Sequence, residues 1–275
     1  MQERTLIHMG LHLAALAVLT CGPGALADQA SPYRVTLTLS EDTVRGLAES
    51  GTFLYGFMAV GGTDQAAVPL VWFQLRDYSL TTTLSWQEQW QAYVSLHVAA
   101  PSPTVNASAA YGITPGQTLQ VQTPQGLGQV VDDGVQGALS IVNQTQAPLT
   151  CGLSLRSGGA SAPIAAFPLY GNGLQLLVPV KRVLLMFSTV PLEPGTPLRR
   201  SCGPGVLMDF SDAPTREISF DLNTGWDLRG KSWARTIPAG SDLVPLLIVQ
   251  TGPLRPRQRP VKPAPAIVSA PSKKQ

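Results

Sequence analysis

Residues 33–39, Tyr-Arg-Val-Thr-Leu-Thr-Leu, alternate apolar or β-branched side chains with polar ones. A period of two held over this stretch predicts a half-buried strand. The period fails at Ser40, where Ser-Glu-Asp-Thr-Val-Arg-Gly-Leu-Ala reads as a short helical turn with Ser40 as N-cap and Gly46 or Gly51 near its end. From Leu80 the alternation returns and is longer. Leu80, Thr82, Leu84, Trp86, Glu88, Trp90, Ala92, Val94 and Leu96 fall on one face. Thr81, Thr83, Ser85, Gln87, Gln89, Gln91, Tyr93, Ser95 and His97 fall on the other. No helical period fits this run. As one strand it would exceed roughly 50 Å, so a bulge or bend is expected near Glu88, where the apolar face is interrupted.

Further along, Tyr170-Gly171-Asn172-Gly173-Leu174 separates two apolar runs, and Asn-Gly favours the positive φ angles of a tight hairpin turn. Cys202-Gly203-Pro204-Gly205 marks a second turn. Residues 183–187 read as a buried strand, residues 217–222 as an alternating one, and the pattern recurs at 243–249. Frequent turns without a sustained helix predict an all-β fold, an antiparallel sandwich or Greek-key barrel, rather than a βαβ fold.

Three regions follow. Residues 1–27 have Arg4, an uncharged apolar run from Leu11 to Leu19 and a small-x-small triplet at Ala25-Leu26-Ala27, the pattern of a cleaved signal peptide. The run is too short to span a bilayer. Residues 28–250 form the β domain, as one unit or two small sandwiches. Residues 251–275 lose the strand pattern and turn to Pro, Lys, Arg and Ala, a composition expected to stay disordered. The expected location is therefore secreted or periplasmic.

Composition refines this picture in two ways. Charged residues are only 13% of the chain, which suits strands and turns whose polarity comes from Thr, Ser and Gln. The small net charge also hides an asymmetry: residues 28–250 hold 12 Lys and Arg against 16 Asp and Glu, whereas residues 251–275 hold six basic residues and no acid. An acidic domain with a basic tail that lacks aromatics makes nucleic acid a poor partner. Past the signal, Cys151 and Cys202 are the two cysteines, and in an oxidising compartment they are expected to form one disulfide.

Chemistry-bearing motifs are scarce. His97 is the single histidine past the signal, and Gly-x-Ser-x-Gly, Ser-x-x-Lys, His-Glu-x-x-His and phosphate-binding glycine loops are absent. No metal site, cofactor or catalytic residue is expected, and the balance points away from an enzyme. Glu88, between Trp86 and Trp90, is the one acid whose burial would suit a carboxylate-based hydrolase. Asp221-Leu222-Asn223-Thr224-Gly225-Trp226-Asp227 begins like a calcium loop but departs from that pattern at Gly225, Trp226 and Ser232. Asn106-Ala107-Ser108 and Asn143-Gln144-Thr145 match the glycan-acceptor pattern.

The densest feature is aromatic. Trp72, Phe73, Tyr78, Trp86, Trp90 and Tyr93 lie close together in sequence with Gln74, Gln87, Gln89 and Gln91 among them. Rings flanked by amides stack on sugar faces and hydrogen-bond their hydroxyls, or anchor at a membrane interface. The expected function is an exported, non-catalytic binding protein for a glycan, envelope component or extracellular partner, with Tyr93, Gln89, Gln91, Trp86 and Trp90 as candidate ligand-binding residues. In the alternating register Tyr93, Gln89 and Gln91 share the exposed face, and Trp86 and Trp90 lie opposite. Exposed tryptophans lining a groove would support this reading, and their burial would remove its main support. A membrane-active, cytolysin-like β protein and a secreted hydrolase are the alternatives.

Overall fold

A computed structural model describes residues 32–64, 66–96, 104–157 and 160–251. The expected signal peptide, His97 and the basic residues after Thr251 lie outside the described residues. The chain begins with β1 (Tyr33–Leu39), α1 (Glu41–Glu49), β2 (Phe53–Gly62), β3 (Val68–Pro69), β4 (Phe73–Leu75), β5 (Thr81–Trp86) and β6 (Trp90–Ser95). It continues through β7 (Ala109–Gly112), β8 (Thr118–Val121), β9 (Gly128–Val131), β10 (Leu139–Asn143), β11 (Leu149–Ser157), β12 (Ala160–Pro163) and β13 (Ala165–Leu169). The last elements are β14 (Leu174–Ser188), β15 (Gly205–Asp209), β16 (Thr215–Asp221), β17 (Gly225–Asp227), β18 (Ala234–Ile237), α2 (Val244–Leu247) and β19 (Ile248–Gln250).

The fold is mostly β, as the periodicity predicts, and among the described residues its strands form three sheets. One has the order β17-β16-β1-β5. The largest runs β18-β15-β14-β10-β8-β9, with β2 paired to β14, β19 and β4. The third runs β3-β13-β11-β6-β7, with β12 on β11. Pairing is not wholly antiparallel: β1 with β16, β10 with β8 and β19 with β2 are parallel. This corrects the purely antiparallel expectation. Periodicity reports which face is buried and carries no information on strand direction.

The main apolar cluster draws residues from all three sheets, among them Leu37, Trp86, Val94, Ile141, Phe167 and Phe220. A second cluster, with Tyr55, Phe57, Leu184, Met186, Leu243 and Leu247, covers the other face of β2 and β14. These two strands are therefore buried on both faces along much of their length, which explains the nearly unbroken apolar run of β2. Helix α1 forms where the alternation stops: the Ser40 side chain accepts from the Thr43 N–H, and Gly51 exits with a φ of 63°.

The cysteine expectation is corrected as well. Cys151 and Cys202 are both free thiols. Cys151 is fully buried in β11 within the main cluster, whereas Cys202 is half-buried in the turn before β15, against the second cluster. Burial pushes the Cys151 thiol well above its usual range. Non-reduced, denatured protein should titrate these two thiols, and in the native state Cys202 should react first, with Cys151 waiting for an opening of the core. A single slow phase for both would contradict this ordering.

Candidate functional site

The feature that organises the site is a break in each of two long apolar runs. Strand β5 buries Thr82, Leu84 and Trp86 in strict alternation and ends there. Gln87, Glu88 and Gln89 turn outward, and β6 resumes at Trp90. The register between β14 and β2 shifts between Pro179 and Val183. That irregularity turns Lys181 outward from an otherwise apolar strand, and the Lys181 carbonyl accepts from the Phe210 N–H at 2.8 Å.

Between these breaks lies a cleft of about 650 Å³ lined by Tyr33, Gln87, Glu88, Gln89, Lys181 and the Phe210–Pro214 connection. Its floor is aromatic. Tyr33 pairs with Trp86 across β1 and β5, and their rings stack at 5.6 Å and 14°. Phe210 packs edge-on against both, at 6.0 Å from Tyr33 and 5.3 Å from Trp86. Trp72 adds a further edge contact on Trp86 at 5.4 Å. Trp86 and Trp90 line a small cavity beneath the cleft rather than its surface.

The rim is polar and mixed in charge. The Lys181 ammonium lies 5.8 Å from the centre of the Tyr33 ring. The Tyr33 side chain beside it, reinforced by the Glu88 carboxylate, holds the Lys181 amine above its ordinary range, so it stays protonated as a donor. Arg216 braces the opposite lip. This buried guanidinium donates through Nε to the Asp209 carbonyl at 2.8 Å, pairs with Asp212 and lies over the Trp233 ring at 4.7 Å. Arg216 thus fixes the connection carrying Phe210, Ser211 and Asp212 without reaching the cleft itself.

The structure divides the sequence-derived candidates. Gln89 stands exposed on the cleft rim. Trp86 and Trp90 are 6% and 9% exposed and belong to the main core, so the groove lined by exposed tryptophans is not found. Tyr93 is fully buried and donates from Oη to the Ala165 carbonyl at 2.8 Å, which corrects its placement on an exposed face. Gln91 is half-buried, in register with Ser154 of β11, and does not line the cleft. The reason is positional: β6 is an interior strand between β11 and β7, and a third cluster, with Val68, Leu70, Val105 and Ala166, covers its second face around Tyr93.

Glu88 is exposed, so the apolar surroundings that a general-acid role needs are not there. The Asp221 carboxylate is engaged with the Asn223 and Thr224 N–H groups and with the Ser40 and Thr43 hydroxyls, tying β16 to the start of α1. Asn143 is buried, and its side-chain N–H groups serve the Ala147 and Tyr170 carbonyls, which removes it as a glycan acceptor. The cleft residues missed from sequence are Tyr33, Lys181, Phe210, Ser211 and Asp212. One signal was present for Lys181, since Lys181-Arg182 interrupts the apolar run of β14. No family model, curated protein or solved structure matches this chain.

Proposed function

We propose that this is an exported, non-catalytic binding protein of the β-sandwich type, which takes a glycan or polysaccharide of the cell envelope or extracellular surroundings in the cleft above Tyr33. The observation that carries the reading is a ring floor bordered by amides, a hydroxyl and a protonated amine within one cleft. Its volume falls in the range of small-molecule sites, roughly 300–1,000 Å³. A sugar face would replace the Lys181 ammonium over Tyr33, an exposed contact worth only about 0.5–1 kcal/mol. Lys181, Gln87, Gln89 and Ser211 would then hydrogen-bond its hydroxyls. The buried tryptophans support the floor and do not touch the ligand.

Affinity electrophoresis of the folded protein through gels holding neutral or acidic envelope polysaccharides tests this. The wild type should be retarded by at least one. Gln89→Ala should weaken binding by about tenfold with the melting temperature nearly unchanged, because this residue is exposed on the rim, whereas Tyr33→Ala should weaken binding by about tenfold and also lower the melting temperature, because its ring stacks on Trp86 and packs against Phe210. Gln91→Ala should bind as wild type. Free migration of folded wild-type protein through every polysaccharide would sink the proposal.

A further inference from the structure

A second cleft, of about 240 Å³, is lined by Arg182, Leu207, Asp209, Ser232, Trp233 and Arg235. Alternation along β14 and β15 separates it from the Tyr33 site. Lys181 and Phe210 line the Tyr33 cleft, so their neighbours Arg182 and Asp209 project from the opposite face. The two apolar clusters divide in the same way, with Met208 and Phe210 in the main one and Leu207 in the second. Arg182 is in register with Asp209, and Leu207, two residues back on the same face, is in register with Arg235 of β18. These four side chains on three strands share one surface, and buried Leu207 is its floor. Backbone bonds fix the outer wall: the Asp209 N–H donates to the Trp233 carbonyl at 2.8 Å, and the Ala234 N–H closes a turn on the Lys231 carbonyl at 3.1 Å. That turn sets Ser232 and Trp233 beside the end of β15.

Charge in this cleft is not balanced. Acids outnumber bases across residues 28–250, yet here two guanidiniums gather around one carboxylate. Asp209 answers them only in part. Its carboxylate lies 3.7 Å from the Arg182 guanidinium, beyond hydrogen-bond reach, and one of its oxygens already accepts from the Ser211 N–H at 2.8 Å. The Arg235 guanidinium has no ion-pair or hydrogen-bond partner among the described residues, and neither has the Ser232 hydroxyl. Arg216, on the far side of Trp233's turn, differs, because Asp212 pairs with it. Like charges placed on neighbouring positions of a sheet are destabilising. Guanidinium forks with open N–H donors, set beside a hydroxyl and a flat indole, supply what recognition of a carboxylate on a ring requires.

We infer that this cleft binds a small carboxylate carried on a flat ring, a uronic acid or an aromatic acid, with the carboxylate held by Arg182 and Arg235 and the ring laid along Trp233. Ser232 supplies a further donor. Two guanidiniums less one carboxylate leave a single positive charge, which matches a monoanion. A phosphate dianion would bring a surplus of negative charge against Asp209. The site is separate from the Tyr33 cleft, and its test does not depend on polysaccharide binding there.

Titration of the full chain with glucuronate, benzoate, acetate and inorganic phosphate at low ionic strength, followed by the NMR signal of the Trp233 indole N–H, tests the inference. Glucuronate or benzoate should shift this signal and bind about tenfold more tightly than acetate or phosphate, and the better of the two distinguishes a sugar acid from an aromatic one. Arg182→Gln and Arg235→Gln should each weaken that binding by about tenfold. Asp209→Asn should tighten it by about threefold, because it removes the competing charge and keeps an amide oxygen for the Ser211 N–H. A folding defect cannot produce such a gain, so this variant stands whether or not the arginine variants are stable. Arg229→Gln, which removes an exposed guanidinium paired with Asp227 outside the cleft, should change nothing. Folded wild type that binds neither ring carboxylate, or binding indifferent to both arginine changes, would overturn the inference. Phosphate bound more tightly than either carboxylate would overturn the ligand class.

Discussion

Tyr93→Ala is expected to destabilise the protein by about 3–5 kcal/mol, the cost of deleting a fully buried ring from a packed site. The Tyr93 ring lies in the small cluster between β3, β6 and β13, and its hydroxyl reaches the Ala165 carbonyl at 2.8 Å in a buried setting. Tyr93→Phe keeps the ring and removes one donor, so it should cost about 1–3 kcal/mol by leaving that carbonyl short of a partner. Gly152 belongs to the same arrangement. A Cβ there would lie 1.9 Å from the Ala165 oxygen and 2.7 Å from the Tyr93 ring, so Gly152→Ala must push either strand or ring. Urea denaturation of the three variants checks the order.

A pH dependence accompanies this prediction. Burial raises the Tyr93 hydroxyl well above its ordinary range. Because the folded value exceeds the unfolded one, the stabilisation is fully present below the unfolded value of about 10. It is lost as pH rises from there through the folded value. Tyr93→Phe should therefore flatten part of the alkaline fall in stability, and Tyr55, Tyr78 and Cys151, which burial also raises, contribute to the remainder. An alkaline profile identical to wild type would mean that Tyr93 can ionise in the fold.

Where one face of a strand meets the core and the other meets water, the sequence is a good guide. β1, β5 and β16 alternate in burial as their side chains alternate in polarity, Ser40 caps α1, and Asn172 takes the positive φ, 55°, that its Asn-Gly turn requires. Legibility fails where a strand is covered on both faces. Gln91, Tyr93 and Ser95 are polar enough to read as solvent-facing, yet Tyr93 and Ser95 are fully buried because β6 is an interior strand with a second cluster above it. Long-range pairing is equally hidden. Nothing local to Cys151 or Cys202 reports that they face different clusters, nor does anything near Tyr33 report that residues 181 and 210–214 fold across it. The candidate site was thus half legible: the Gln87–Gln89 break follows from the polar interruption, and the other walls depend on tertiary pairing.

Trp86→Ala separates the support of the cleft from its surface. Trp86 is 6% exposed and touches Tyr33, Trp72 and Phe210, so its removal should cost about 3–5 kcal/mol. The cavity would open directly beneath the cleft floor, against the small void already lined by Met58, Trp90 and Val183. Tyr33 would lose its stacking partner, and Phe210 one of its two edge contacts, so polysaccharide retardation should fall together with stability. Tyr33→Ala removes the half-buried ring that a ligand meets, and should lower retardation at a smaller cost in stability than Trp86→Ala, about 1–2 kcal/mol. Trp86→Phe fills part of the volume and keeps a ring under Tyr33, so it should recover part of both properties. If Trp86→Ala lowered stability but left retardation at the wild-type value in the folded fraction, the ligand would have to bind away from the Tyr33 cleft. The floor would then be a packing feature alone.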